Sequence, residues 1–338
     1  MYSKLLSIVI GVCLVFSLQT QKAEAAESLI IATATTGGTY YPVGVALGTL
    51  ISIKLAKEHG ITATAINSAG SGENVQMLKN KEAQLAILQS LFGLNAYQGK
   101  GPYKDRAVTD FRSVTMLWEN VEHFSLLAKH AQTGTITDLK GLEGKFSIGK
   151  RGSGTEGSGR TILKALGIDP QSLNLEYLGY NPSAMAMMDG RIVGMNTPAG
   201  PPVAAVTQLF AQLGSKKVDV LDFTDQQLET IKKEYPIWNR YVVEAGTYPG
   251  QKEDIKTISQ PNFLAVHPDV SEQTVYMITK TIYQNLPFLH NIHKATKAMS
   301  LDRAINGLPV PLHPGAVKYY REQGIDIPAS LLDEDGEE

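Results

Sequence analysis

Two periods alternate along the chain. Short runs rich in β-branched residues end in glycine or a polar turn, and longer runs with apolar residues at helical spacing follow them. "SLIIATATT" (28–36) reads as a strand ended by Gly37-Gly38. "YYPVGVALGTLISIKLAKEHG" reads as a helix with Val45, Leu50, Ile53 and Leu55 apolar and Gly60 as its stop. "ITATAINS" (61–68), "GENVQMLKNKE" and "AQLAILQ" (83–89) continue as strand, helix and strand, a βαβαβ order that predicts a mainly parallel sheet. "FRSVTMLW" and "HFSLLAKH" read as two more strands, separated by Glu119-Asn-Val-Glu122.

The rhythm then restarts. "KFSIG", "LNLEYLG", "IVGMNTPAG" and "VDVLDF" read as strands, and "SGRTILKALG", "NPSAMAMMDG" and "PVAAVTQLFAQL" as helices. "TDQQLETIKKEYP" is a helix with an Asp/Thr start. "AGTYPGQKED" is turn-rich and "IKTISQPNFLAVH" is a long extended run. "SEQTVYMITKTIYQNL" and "AVKYYREQG" are the last helices, and the tail "DEDGEE" is expected to be disordered.

Two α/β units therefore lie in series. The long strands near 112–130 and 256–266 have few breakers and are expected to cross between them. The expected fold is two-lobed, each lobe a mainly parallel sheet flanked by helices, with the two crossover strands forming a hinge. Residues 27–122 plus 257–338 make one lobe and residues 123–256 the other. A chain of 338 residues agrees, because single cores stop growing near ~250–300 residues. Hinged lobes bury a ligand in the cleft between them.

Composition narrows the class. The chain is 43% hydrophobic and 19% charged, with a formal net charge of −2, so no basic excess points to nucleic acid. Lys4, an apolar run over residues 5–18 and Ala23-Glu-Ala25 read as a signal peptide over residues 1–25, with cleavage near Ala25. The run is short for a bilayer span. Cys13, the chain's single cysteine, lies inside it, and Val12 stands where a lipoprotein signal wants Gly or Ala. The mature chain is expected to be exported, soluble and without cysteine, which excludes disulfides and thiolate chemistry.

Candidate chemistry lies in the turns at strand ends. "TTGGTYYP" (35–42) sets two glycines before a helix start, where free N–H groups and partial positive charge make an anion seat; a tight turn with Thr39 as a plain N-cap is the alternative. "GKRGSGTEGSG" (149–159) repeats the design, with Ser153, Gly154 and Thr155 beside Lys150 and Arg151. Its Gly152–Gly157 segment matches G-x-G-x-x-G, with Glu176 about twenty residues on, the pattern of an NAD(P)-dependent oxidoreductase. A dinucleotide site uses one such turn, whereas here one opens each half and the two are expected to face each other across a cleft, and export argues against a cytoplasmic cofactor supply. "NSAGSGEN" offers Ser68 and Ser71, "LQS" offers Gln89 and Ser90, and "NTPAGPP" offers Thr197. In open α/β sheets ligands sit at such carboxyl ends. No nucleophile elbow, H-E-x-x-H or P-loop occurs. His290 and His293 lack a third ligand and read as packing residues, and His123 beside Glu122 reads as a structural pair. No enzyme activity, metal or cofactor is expected.

Several stretches together resemble the TAXI family, the extracytoplasmic solute-binding subunits of tripartite ATP-independent periplasmic (TRAP) transporters. They are "TTGGTYYPVGVALGTLI", "SAGSGENVQMLKNKEAQLAILQS", "GSGT", "AGTYPGQ" and "GLPVPLHPGAVKYYREQG", and the resemblance covers nearly all of the mature chain. It implies a two-lobed periplasmic binding protein, a monomer that closes on a small carboxylate and hands it to membrane subunits driven by an ion gradient. A dicarboxylate such as 2-oxoglutarate, or an acidic amino acid such as glutamate, is the implied solute. The residues carried over are Gly38, Thr39, Tyr40, Ser71, Gln89, Ser90, Ser153, Gly154 and Thr155. Arg151 and Thr197 join them from the turns themselves. The chain departs from the family pattern at Leu91, where an aspartate is common, at Val193-Gly194-Met195, and at Lys150-Arg151, where the loop is usually neutral. Fewer acids and more bases point to a more anionic ligand. A receptor that signals without transport is the remaining alternative.

Overall fold

The computed structural model describes residues 26–333. The segment expected to be a signal peptide, Cys13 and nearly all of the acidic tail lie outside the described residues.

The first unit runs β1 (Glu27–Ala32), α1 (Tyr40–His59), β2 (Ile61–Ile66), α2 (Ser71–Lys79), β3 (Leu85–Gln89) and α3 (Ser90–Gln98). β4 (Arg112–Val121) extends through the Glu119-Asn-Val stretch that the sequence reads as a break, so only Glu122-His123 separate it from β5 (Phe124–Leu127). The second unit is β6 (Lys145–Ser147), α4 (Gly154–Ala165), β7 (Asn174–Glu176), α5 (Tyr180–Met188), β8 (Gly194–Asn196), α6 (Ala204–Leu213), β9 (Val218–Val220) and α7 (Asp225–Glu234). β10 (Asn239–Val243) and β11 (Ile255–Val266) return the chain to the first sheet, followed by α8 (Glu272–Gln284), α9 (Leu286–Ile292) and α10 (Pro314–Glu322).

The first sheet has the order β10-β11-β3-β1-β2, with β4 also paired to β11; the second has the order β7-β6-β8-β5-β9. β1, β2 and β3 are parallel to one another, as are β6, β7 and β8. One strand in each set is reversed: β11 runs antiparallel to β3 and β4, and β5 runs antiparallel to β8 and β9. Both sheets are therefore mainly parallel, as expected, and one reversed strand makes each of them mixed. β5 enters the second sheet directly from β4, and β11 runs from β10 into the first. We propose the division at 122/123 and 256/257 on these two crossings, which leaves β10 with the second lobe although it pairs with β11.

Each sheet is covered on both faces, as a sheet built on βαβ crossovers requires. Leu29, Leu47, Ile278 and Tyr320 belong to one core of the first lobe, and Val75, Phe92, Phe111 and Phe263 to another. Phe124, Phe146, Ile162 and Trp238 belong to one core of the second, and Met187, Val206, Phe210 and Tyr248 to the other. Burying such side chains stabilises by roughly 1.5–3 kcal/mol each. In α1 the buried stripe is Val43, Leu47, Leu50, Ile51 and Leu55, whereas Val45 and Ile53 are exposed. The phase is set by two glycines. A Cβ on Gly44 would stand 2.3 Å from Thr33 Cγ2, and one on Gly48 2.9 Å from the Ala63 carbonyl. α1 therefore lies against β1 and β2 along its glycine stripe.

Glycine also governs how the lobes meet. At one seam the start of α2 faces the start of α4: a Cβ on Gly72 would lie 2.2 Å from Gly152 O, and one on Gly157 2.2 Å from Phe92 Cζ. The Glu73 N–H donates to Gly152 O across this seam (3.2 Å). At the other, the turn before α1 faces the start of α5: a Cβ on Gly38 would lie 2.9 Å from the Tyr180 ring. There the Ala205 N–H donates to Gly37 O (3.0 Å), and Thr39 Oγ1 donates to Gly200 O (2.9 Å).

Replacing Gly72 by alanine tests the seam. In isolation the change favours helix α2 by about 0.5–1 kcal/mol, but the new methyl meets a backbone oxygen of the other lobe. Gly72→Ala should keep or raise the thermal midpoint of the unliganded protein while preventing the compaction that ligand induces in small-angle scattering.

Candidate functional site

The chain turns sharply where α1, α2, α4 and α5 begin, and these four helix starts surround a small cavity between the lobes. Gly38, Thr39 and Tyr40 reach it from α1, Gly70 and Ser71 from α2, Gly154 and Thr155 from α4, and Tyr180 from α5. Its volume is ≈ 30 Å³, on a measure by which one water needs ~10–15 Å³. A helix start carries about half a positive charge and N–H groups without intrahelical partners. Most helices cover these groups with a side-chain cap, and three of these four do not. Thr39 occupies the N-cap of α1, but its hydroxyl is committed to Gly200 O. Gly70 and Gly179 are the N-cap residues of α2 and α5 and have no side chain to offer. Only α4 is capped, by Ser153 Oγ accepting from the Glu156 N–H (3.0 Å).

The walls are polar but neutral. Among the described residues lining the cavity, none carries a formal charge. Tyr40 OH donates to Asn262 Oδ1 (2.5 Å), and its ring meets Trp118 edge-on at 6.0 Å. Tyr180 OH donates to Pro198 O (2.6 Å) and lies 2.9 Å from Thr155 Oγ1. Burial raises the pKa of both tyrosines, so both hydroxyls keep their protons. Ser71 Oγ accepts from the Gln89 N–H (3.0 Å), and its own proton faces the Tyr40 hydroxyl across the cavity wall. Gln89 Oε1 and both amide atoms of Asn120 are buried without a hydrogen-bond partner. An unpaired buried polar group costs about 1–3 kcal/mol, so these atoms call for a partner in the cavity beside them, whether water or a ligand.

Gly38, Thr39, Tyr40, Ser71, Gln89, Gly154 and Thr155 all line this one cavity. Ser90, Arg151, Ser153 and Thr197 do not line the cavity. Ser90 Oγ donates to Gly307 O (3.1 Å), and Ser153 is spent on capping α4. Thr197 is fully buried, its N–H given to His123 O (3.1 Å). Arg151 is exposed and stacks on the Tyr177 ring at 3.6 Å, along an outer groove of the seam. Its charge is therefore outside the cavity. Glu176, the acidic partner of a dinucleotide reading, pairs instead with Lys145 (2.7 Å). The glycines of Gly152–Gly157 serve the approach of the lobes. His290 and His293 serve local hydrogen bonds, to Met299 O and from the Ala295 N–H.

Asn120 and Tyr180 are the wall residues that the turns did not disclose. Asn120 fell in the Glu119-Asn-Val stretch that the sequence reads as a break, and Tyr180 carries no turn or glycine signal of its own.

A model of the NMT1-like family matches residues 31–324. Among solved structures, MatC from Rhodopseudomonas palustris with bound malate is 14% identical, the match covering 89% of this chain and 97% of that one, with a TM-score of 0.53. PhnD1 from Prochlorococcus marinus in complex with methylphosphonate is 11% identical over 88% of this chain and 99% of that one, with a TM-score of 0.50. The fold is that of the two-lobed periplasmic binding proteins.

Asn120→Leu removes amide atoms that have no protein partner. It should leave the thermal midpoint unchanged or raise it, yet weaken anion binding tenfold to a hundredfold, the roughly 1.5–3 kcal/mol of a hydrogen bond to a charged group. Arg151→Ala, tested by the same calorimetric titration, should change affinity less than twofold.

Proposed function

The chain belongs to the NMT1-like family, and from that premise we propose that it is an extracytoplasmic solute-binding protein for a small organic anion. The observation that carries the reading is the meeting of four helix starts, three of them without side-chain caps, around one neutral cavity. At about half a charge each, they present roughly two positive charges to whatever lies between them. The match to an anion needs no arginine. It also makes closure depend on ligand, because like partial charges from opposite lobes repel until an anion separates them. Malate in MatC and methylphosphonate in PhnD1 are small anions in the same kind of fold, which supports the class.

Within the class we favour a carboxylate, namely a dicarboxylate such as 2-oxoglutarate or an acidic amino acid such as glutamate. The TAXI resemblance is the support, and the absence of an acidic group from the walls agrees with it. Delivery to TRAP-type membrane subunits, driven by an ion gradient, belongs to the same reading, as do export through the N-terminal signal and a periplasmic location. No chemistry is required of the walls, only donors, a hinge and a seam that shuts.

Isothermal titration of the mature protein with glutamate, 2-oxoglutarate and succinate should give saturable one-to-one binding with at least one. At a hundredfold excess over Kd that ligand should add about 2.7 kcal/mol to stability. Silence with these and other small carboxylates would remove the carboxylate assignment. Uptake into vesicles bearing the cognate membrane subunits should need an ion gradient and proceed without ATP.

A further inference from the structure

Directly behind the cavity lies a carboxyl group that the site does not use. Glu122 sits where the chain crosses from β4 to β5 and is fully buried. Its backbone is fixed to β11, the N–H donating to Ile258 O (3.0 Å) and the carbonyl accepting from Thr257 Oγ1 (2.8 Å). One side-chain oxygen accepts from Asn196 Nδ2 (3.0 Å), and the other has no partner. Asn120, in the cavity wall, lies two residues before it, near the end of β4. Tyr180, also in the wall, feels the charge of Glu122.

No cation faces this carboxyl from any element packed on it. From α4 it meets Ser158, whose hydroxyl lies between the Glu122 carboxyl and Thr155 O (3.4 Å), while Arg160 of that helix is held by Glu156 and Tyr177. From α5 it meets Tyr180, and from β8 Asn196. β11 contributes Thr257, with Lys256 exposed. Next along the chain, the His123 ring is engaged by Val121 O (2.8 Å) and Tyr248 OH (2.7 Å), and burial lowers its pKa to about 4, so it is neutral.

We propose that the anion is captured together with a proton, and that the proton is held on Glu122. The inference rests on the anion-binding reading above. A buried carboxylate with no counter-ion favours its neutral form, burial outweighing the neutral donors Asn196 and Ser158, and an anion in the adjoining cavity adds repulsion in the same direction. Burial pushes the Glu122 carboxyl up to about 7 in the empty protein, and a bound anion raises it further. Affinity is then full below about pH 7 and falls as pH rises from there to the carboxyl's pKa in the complex, where it levels.

Glu122→Gln is the isosteric mimic of the neutral acid, and two measurements separate this inference from the reading under it. The first is thermal unfolding of the unliganded proteins between pH 4 and 9. The native state of the wild type holds the extra proton between the unfolded carboxyl's ordinary ~4.3 and about 7. Wild type should therefore lose stability relative to Glu122→Gln across that window, with a constant gap above it. The second is titration with 2-oxoglutarate, fully ionised over pH 6–9. Wild type should bind about tenfold more weakly at pH 9 than at pH 6 and take up a proton where the buffer's ionisation heat is varied, a tenfold change being one unit of carboxyl shift. Glu122→Gln should bind with little pH dependence and more tightly than wild type at pH 9. Parallel stability curves overturn the inference whatever the ligand does. A stability gap with identical pH profiles of affinity overturns the coupling, and so does binding that requires sodium and takes up no proton. A stability gap with no 2-oxoglutarate binding to either protein overturns the anion reading for this probe, and the coupling with it.

Discussion

Like ends of helices face each other across the cleft, and much of the site depends on how that repulsion is managed. α2 meets α4 and the α1 turn meets α5, each presenting unpaired N–H groups and partial positive charge to the other. Side-chain caps would relieve this within each lobe, but Thr39 spends its hydroxyl on the opposite lobe, and Gly70 and Gly179 have none. The missing caps and the contact between lobes are thus two sides of one arrangement. Glycine is what allows the helix starts to come this close, since a methyl on Gly72 would collide with the Gly152 carbonyl. Buried amides without partners, at Gln89 and Asn120, complete a surface whose polar groups are arranged for an occupant and not for one another.

The alternation of strand and helix was legible because burial imposes it: β3 is apolar from Leu85 to Leu88 and buried along its length, and α7 carries a complete capping box at Thr224. β10 escaped notice because "NRYVV" is half exposed and pairs with a strand that follows a long turn. α3 escaped because its start, Ser90, continues the β3 run without a break. The phase of α1 was misread for a packing reason: Val45 and Ile53 are apolar, but Gly44 and Gly48 decide which face can approach the sheet.

At the site, the turns could be read because glycine and hydroxyl residues at strand ends have few other uses. Direction could not. Nothing in "KRGSGT" tells whether Arg151 looks into the cleft, and the residue that holds it outside, Tyr177, lies on another segment. The Gly152–Gly157 motif illustrates the same limit. Its spacing reports that something comes very near the backbone, and in this fold that is Phe92 and α2 of the facing lobe.

β11 lies between β3 and β4, paired with each along an edge. Residues 27–121 therefore supply six of the first lobe's helices and strands before β4 and yet cannot close their own sheet. A chain synthesised from its N-terminus carries two unsatisfied strand edges until residues 255–266 appear, with the whole second lobe already made. Such contacts between distant segments slow folding, and bare edges invite pairing with other chains. The order of assembly is written into the topology: the inserted lobe can be completed first, and the lobe that begins the chain is finished last.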